Sequence, residues 1–585
     1  MRKAPDTAAV GRRAFLVSGA LGALALKGSH AGAVETQAGS VGPLLTALVR
    51  ANDDRVRAWL ARQERRPGHR WLGCLMVEYG LPSPGGTAQM IAGFVAALVS
   101  PTSAFHHDDA LAEAAMSAGA GLLRAQHDDG TIDLPTTNFH SPPDTAFALE
   151  PVTAAMTILQ RHPWPRLAPL QASLDTFMRR AGEALVTGGV HTPNHRWVAA
   201  AALARLHALR PDPRYVARID AWLAETIDID PDGQYTERST TVYSPIVDRA
   251  LLTIATLLDR PALLDPVRRN LEMTLYYVHP DGEVATEASR RQDRYQRGSM
   301  ARYYVSYRAL ALRDRDGRFA AIARRVEDTA LPQLAGDLPA FLEWPDLQRP
   351  LPPDAALPTE YVKVFAWSKL ARIRRGAVSA TVLADNTTVL SLRHGQAALE
   401  AVRLATAFFG KGQFAGEALE VVDARTFRLR QHLEGPYFQP LTAAQVANGD
   451  HVRMTPNGTL ASDSRALRAQ SEVQVLDSRV EVTERDGVVT LDVDIRGTND
   501  VPVALELGFR HGGTLEGVEP VKDVANAFLL RAGTGRYRVG DDTIAFGPGQ
   551  AAHTWTELRG ALPKWDGQSV YLTGLTPFHA TLTLS

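Results

Sequence analysis

Five glycines set a slow period through the first half of this chain. Gly80, Gly130, Gly189, Gly233 and Gly282 fall at gaps of 50, 59, 44 and 49 residues. Between them Ala, Leu and Arg dominate, and apolar residues recur at spacings of three and four, as around Trp197, Ala201, Leu203 and Leu206. That spacing draws an apolar stripe along a helix. About fifty residues hold two helices and their connections, so residues 41–345 are expected to form helical hairpins, stacked as an open solenoid or closed into a toroid. Two of the loops echo each other: Pro231-Asp232-Gly233 leads to Thr236-Glu237, and Pro280-Asp281-Gly282 leads to Thr286-Glu287. Equivalent loops of successive hairpins emerge on one side. One face is therefore expected to carry a cleft lined by His140, His195, Tyr243 and Arg290.

The text changes near residue 346. DLQRPLPPDAALP, residues 346–358, is a proline-rich connector. After it come short runs in which Val, Thr and Leu alternate with polar residues, among them VVTLDVDIR, VALELGFR and ATLTLS, separated by Gly, Asn and Asp turns. Residues 359–585 are thus expected to form an antiparallel β-sandwich. A helical domain followed by a β domain also suits a length of 585 residues, which exceeds what one core organises.

Composition excludes several function classes. A formal net charge of −1 gives no global field for an anionic polymer, so nucleic-acid binding is disfavoured and any attraction must come from local arginine clusters. The single cysteine, Cys74, rules out an intrachain disulfide and a cysteine-rich metal cluster. Its apolar context, WLGCLMVEY, reads as a buried thiol. No glycine-rich nucleotide loop occurs, and neither a cofactor nor a metal is expected.

The first 33 residues read as a targeting signal. Arg12-Arg13 precedes an apolar run from Ala14 to Leu26 that is too short to span a bilayer, and Ala31-Gly32-Ala33 follows with small residues at a cleavage spacing. Twin arginines before Phe-Leu resemble a Tat signal. The expected mature protein starts near Val34, is periplasmic or secreted, and has no stable membrane anchor; an uncleaved anchor is the alternative.

Four clusters carry the residue types needed to grip a carboxylate and move a proton beside it. Asn194 and His195, in HTPNHRW, stand at a helix start, where Asn194 could equally be an N-cap. Tyr243 opens the next apolar helix pattern, with Glu237, Arg238 and Arg249 near it in sequence and Tyr235 as a rival phenol in the same loop. Arg290, Arg291 and Arg294 lie in a stretch interleaved with tyrosines; arginine forks bind carboxylates in bidentate fashion and tyrosines stack on sugar faces. For any one of these arginines a solvated ion pair with Glu287 or Asp293 is the plainer reading. Asn138 and His140 lead into Ser141-Pro142-Pro143-Asp144, a rigid loop suited to a binding wall or to a simple turn.

HTPNHRW followed some fifty residues later by DGQYTERSTTVYSPIVDRAL resembles the heparinase II/III and alginate lyase group of polysaccharide lyases. The resemblance covers residues 120 to 310, and the β domain in architecture only. It implies an (α/α) toroid followed by an antiparallel β domain, with Asn194, His195 and Tyr243 as the catalytic set. NFHSPPDTAF and HPDGEVATEASRRQDRY are similar to lyases that cleave rhamnosyl-glucuronate linkages. The implied partner is an acidic oligo- or polysaccharide. Asn138, His140, Tyr235, Arg238, Arg290, Arg291 and Arg294 are the expected substrate-binding residues. One departure stands out: no Gly-His-x-His segment occurs in the β domain, only isolated histidines such as His394, His432 and His553, so neither a zinc site nor a catalytic histidine is expected from it.

β-Elimination removes the C5 proton of a uronic acid and breaks the bond at C4. The adjacent carboxylate must be neutralised first, since an enolate-like charge develops there. Asn194 and His195, helped by Arg290 or Arg291, are the expected donors. In a glucuronate the C5 proton and C4 oxygen share a face and Tyr243 would serve as base and acid; in an iduronate His195 would act opposite it. Two other classes remain open: a toroid glycoside hydrolase using a carboxylate pair among Glu237, Asp281, Glu283 and Glu287, and a non-catalytic exported carbohydrate-binding protein.

Overall fold

The computed structural model describes residues 42–77, 79–449 and 465–585, so the twin-arginine segment lies outside the described residues. The chain divides into two compact units. One runs to Tyr277 and resumes over Gly282–Leu357; the other holds Val278–Asp281 and Pro358–Ser585.

Among the described residues the first unit has twelve α-helices: α1 (Pro43–Leu60), α2 (Pro84–Val99), α3 (Asp109–Ala125), α4 (Pro142–Arg161), α5 (Ala168–Thr187), α6 (Pro193–Leu209), α7 (Pro213–Leu223), α8 (Tyr243–Leu257), α9 (Leu264–Leu275), α10 (Tyr304–Asp314), α11 (Gly317–Ala330) and α12 (Leu338–Glu343). The even-numbered helices α2 to α10 pack on one another in order, and the odd-numbered ones alternate with them outside. Sequence decides which helix goes where. In α6, twelve of seventeen residues are buried, many of them alanines that let neighbouring backbones approach. In α7 only Tyr215 and Ile219 are buried out of eleven, the stripe of a surface helix. The result is an (α/α) toroid with an inner and an outer ring.

The glycine period is real but less regular than the sequence suggests. Gly130 and Gly233 adopt φ of +85° and +99°. A side chain on either would run into the Arg180 carbonyl of α5 or the Arg269 carbonyl of α9, so only glycine fits. In the first repeat that role falls to Gly73, packed on the Ser117 carbonyl, while Gly80 and Gly189 have open space around them. Inside the ring, Arg205 of α6 is 2% exposed and its Nη1 lies 2.9 Å from Glu343 Oε1 of α12. Removing one partner of such a pair costs about 3–5 kcal/mol, because the other charge is left buried and unpaired.

Among the described residues the second unit is two packed sheets, of eight and ten strands. The alternation in sequence sets the buried face. In Val488–Gly497, Val489, Leu491, Val493 and Ile495 point inward; in Phe578–Leu584 the same is true of Phe578, Ala580, Leu582 and Leu584. The two strands pair antiparallel with Leu491 opposite Leu582 and Val493 opposite Ala580, so both stripes face the core. The opposing layer comes from Ala397–Thr406 and Pro502–Phe509, through Val402, Leu404, Leu505 and Leu507. Pairing is antiparallel throughout the central strands; Ala527–Leu529 runs parallel to its neighbour Gln568–Leu575.

Candidate active site

Each inner helix of the toroid starts after a loop, and four of these loops hold the polar residues singled out above. The hairpin Ile132–Leu134/Asn138–Ser141 leads into α4, residues 188–192 into α6, 233–242 into α8 and 282–303 into α10. The inner helices follow one another through the outer ones, so these loops share one end of the ring.

Asn194 is not the N-cap of α6. Thr192 takes that place without a side-chain cap bond, and Pro193 opens the helix. Asn194 sits in the first turn, 1% exposed, and its amide Nδ2 donates to Glu237 Oε1 at 2.7 Å and to Thr192 Oγ1 at 3.1 Å. Its backbone N–H also donates to Glu237 Oε1, at 3.1 Å. The amide Oδ1 is buried without a hydrogen-bond partner. His195 follows, 9% exposed, with Phe147 of α4 edge-on at 5.9 Å and His191 edge-on at 4.8 Å. Burial, with His191 and the Arg291 guanidinium nearby, pushes its pKa down to about 4. His195 is therefore neutral at ordinary pH. It can accept a proton or donate one hydrogen bond, but it supplies no positive charge.

Tyr243 is the first residue of α8 and is half-buried. Gln292 Nε2 donates to its hydroxyl at 2.9 Å, and the Arg291 guanidinium lies 5.0 Å from its ring centre. Arg291 is the joint of the site. It stands over Tyr243, acts electrostatically on His195, and places its Nε 3.9 Å from Glu237 Oε2.

Tyr235 is a different residue from the one the sequence suggests. It is 2% exposed, and its hydroxyl donates to Asp248 at 2.8 Å. Burial and that carboxyl push its pKa far up. It belongs to the core and lines no accessible surface. Asn138 and His140 bond within their own segment. Asn138 Nδ2 donates to Asp144 at 2.9 Å, and His140 Nδ1 pairs with Asp129 at 2.6 Å while its ring stacks on His127 at 3.9 Å. Hydrogen bonding to Asp129 raises the His140 pKa. Arg238 turns the chain at φ +47°, and its carbonyl receives the Arg290 N–H at 2.8 Å. Arg290 is exposed, and Arg294 lies over Tyr295 at 4.8 Å.

Sequence reasoning missed the group that holds the loops together. Asp293 is 1% exposed and accepts from Ser239 Oγ at 3.1 Å, Ser289 Oγ at 2.5 Å, and Thr241 N and Oγ1 at 2.9 and 3.1 Å. Ser239 Oγ in turn accepts the Tyr243 N–H at 3.1 Å, so Asp293 fixes the start of α8 through one serine. In the run RRQDRY nothing separates Asp293 from a solvated ion-pair partner. Gln292 carried no signal either.

Glu237 is committed to Asn194, Asp281 pairs with Arg393 at 3.3 Å, and Glu287 is 5% exposed. Among the described residues no three His, Cys, Asp or Glu side chains converge as metal ligands. Cys74 is buried and its thiol is pushed up to about 11, as befits a structural residue.

No protein-family model and no curated protein matches the sequence. Solved structures do match. The chain is similar to the Streptomyces coelicolor A3 chondroitin AC lyase, in complex with chondroitin sulphate, at 15% identity and a TM-score of 0.54 over 94% of this chain and 80% of that one. It is similar to a Paenibacillus xanthan lyase at 10% identity and a TM-score of 0.57, over 94% of this chain and 58% of that one. Heparinase III matches at 12% identity and a TM-score of 0.53, over 94% and 84%. The fold is that of the toroid-plus-sandwich polysaccharide lyases. At these identities the likeness extends to fold, and the chemistry has to be argued from the site.

Proposed function

We propose that the protein is a polysaccharide lyase that cleaves a uronic-acid-containing glycan by β-elimination, leaving an unsaturated uronate. The observation that carries this reading is Arg291, one guanidinium shared by a phenol, a neutral imidazole and the carboxylate that holds Asn194. A substrate carboxylate drawn to Arg291 would bring its C5 proton beside Tyr243 and His195.

The steps follow from the charges. Arg291 neutralises the carboxylate, because His195 is uncharged there, and this acidifies C5–H. In a glucuronate the Tyr243 oxygen, as the phenolate, takes the C5 proton, the C–H electrons form the C4=C5 double bond, and the C4–O bond breaks. The departing oxygen recovers the proton from the same phenol. In a substrate with the C5 proton on the opposite face, neutral His195 is the base and Tyr243 the acid. The hydrogen bond from Gln292 steadies the phenol oxygen in either case. The linkage we propose is rhamnosyl-glucuronate, on the resemblance of NFHSPPDTAF and HPDGEVATEASRRQDRY, and the site of action is the periplasm or the medium, on the twin-arginine signal.

The purified protein should raise ultraviolet absorbance when given a rhamnose–glucuronate glycan, as an unsaturated uronate accumulates. New reducing ends without that absorbance would mean hydrolysis. No cleavage of any uronic-acid glycan would leave a binding protein.

A further inference from the structure

Glu237 stands outside the chemistry just described, yet it faces Arg291, which takes part in it, and holds Asn194 beside His195. It lies in the loop before α8, is 9% exposed, and divides its two oxygens between two neighbours. Oε1 accepts both the backbone and the side-chain N–H of Asn194, at 3.1 and 2.7 Å. Oε2 makes no hydrogen bond and faces Arg291 Nε at 3.9 Å. A carboxylate buried this far is costly unless it is bonded and charge-compensated. Here one oxygen is bonded and the other is set against a cation that is itself 37% exposed.

We infer that Glu237 is a positioning residue for the elimination, holding the Asn194 amide with one oxygen and the Arg291 guanidinium with the other. This rests on the lyase reading and deepens it. Bound to Oε1 and to Thr192, both Asn194 amide hydrogens are committed, and the side chain has a single orientation. Arg291 stays poised rather than neutralised: at 3.9 Å without a hydrogen bond, its N–H groups remain available to a substrate carboxylate. A direct ion pair would compete with substrate, and no acid at all would leave a long side chain to wander. Glu237 thus pre-aligns two groups from different loops, and a displacement of about 1 Å in such groups costs on the order of 100-fold in rate.

The test separates the two arms. Glu237→Gln keeps size and an acceptor oxygen for Asn194 but removes the charge facing Arg291. Glu237→Ala removes both arms. The expected result for Glu237→Gln is a kcat lower by about 10- to 100-fold, with KM changed by less than about threefold and an unfolding midpoint close to wild type. Arg291→Ala supplies the decisive background. If Glu237 acts through Arg291, adding Glu237→Gln to Arg291→Ala lowers kcat no further, because coupled residues are not additive. Likewise Glu237→Ala in Arg291→Ala should lose only what Asn194→Ala loses there. Additive losses, or Glu237→Gln with wild-type kcat, would overturn the inference. A Glu237→Gln protein that loses stability while each folded molecule keeps full kcat would mark a purely structural residue and overturn it as well. Should Glu237→Ala fail to fold, the Gln arm still decides. A wild-type protein that makes no unsaturated product would instead sink the lyase reading itself.

Discussion

Two tyrosines eight residues apart should fail in opposite ways. Tyr243→Phe keeps the ring, and with it the contact under Arg291, and deletes a hydroxyl that accepts one hydrogen bond from exposed Gln292. That bond is worth at most about 1 kcal/mol of stability. If the hydroxyl moves the proton, turnover falls by about 10²–10⁴-fold, mainly in kcat. Tyr235→Phe does the reverse. Asp248 is 0% exposed, burial pushes its carboxyl well above the usual range, and its Oδ2 already lacks a partner. Deleting the Tyr235 hydroxyl leaves Oδ1 unpaired too, at a cost of about 1–3 kcal/mol, with kcat of the folded protein nearly unchanged. The assay is initial ultraviolet absorbance on a uronic-acid glycan, paired with thermal or denaturant unfolding. Near-normal turnover in Tyr243→Phe together with a dead but stable Tyr235→Phe would refute the assignment. Normal turnover in both would refute the phenol mechanism.

Other outcomes follow from the same geometry. His195 should titrate near pH 4 by NMR. The unfolded chain takes up this proton from about pH 6.5 downward and the folded one only near 4, so His195 subtracts stability as pH falls through that window, by about 3 kcal/mol at its end; His195→Gln should be less acid-sensitive than wild type, and an equal slope would refute the burial argument. Asp293→Ala, which strands Ser239, Thr241 and Ser289, should cost on the order of 3 kcal/mol and lower kcat by displacing Tyr243; retention of both would show that the loops hold by other means. Changing Arg12 and Arg13 together to Lys should keep the precursor inside the cell, and normal export of that variant would sink the Tat reading.

The sequence by itself determined the layers. Helical period before residue 346 and strict alternation after it specify which faces need cover, and those patterns are local, set by 3.6- and 2-residue geometry. It also placed His140, His195, Tyr243 and Arg290 at corresponding loops of successive repeats, because a hairpin period returns each loop to the same end of the stack. What it left open was decided by bonds between residues about fifty positions apart. Glu237 reaches Asn194 across 43 residues, Gln292 reaches Tyr243 across 49 and Asp293 reaches Thr241 across 52. Those contacts come from neighbouring hairpins in the ring, and they exist only once the ring is stacked. Tyr235 and Tyr243, near-equivalent as text, diverge: one hydroxyl meets a buried carboxyl inside the helix layer, the other meets an amide at the loop end, with a guanidinium over its ring. The tertiary structure likewise pushed the His195 pKa down, since burial and neighbouring charge set protonation, and neither is written in that residue's identity.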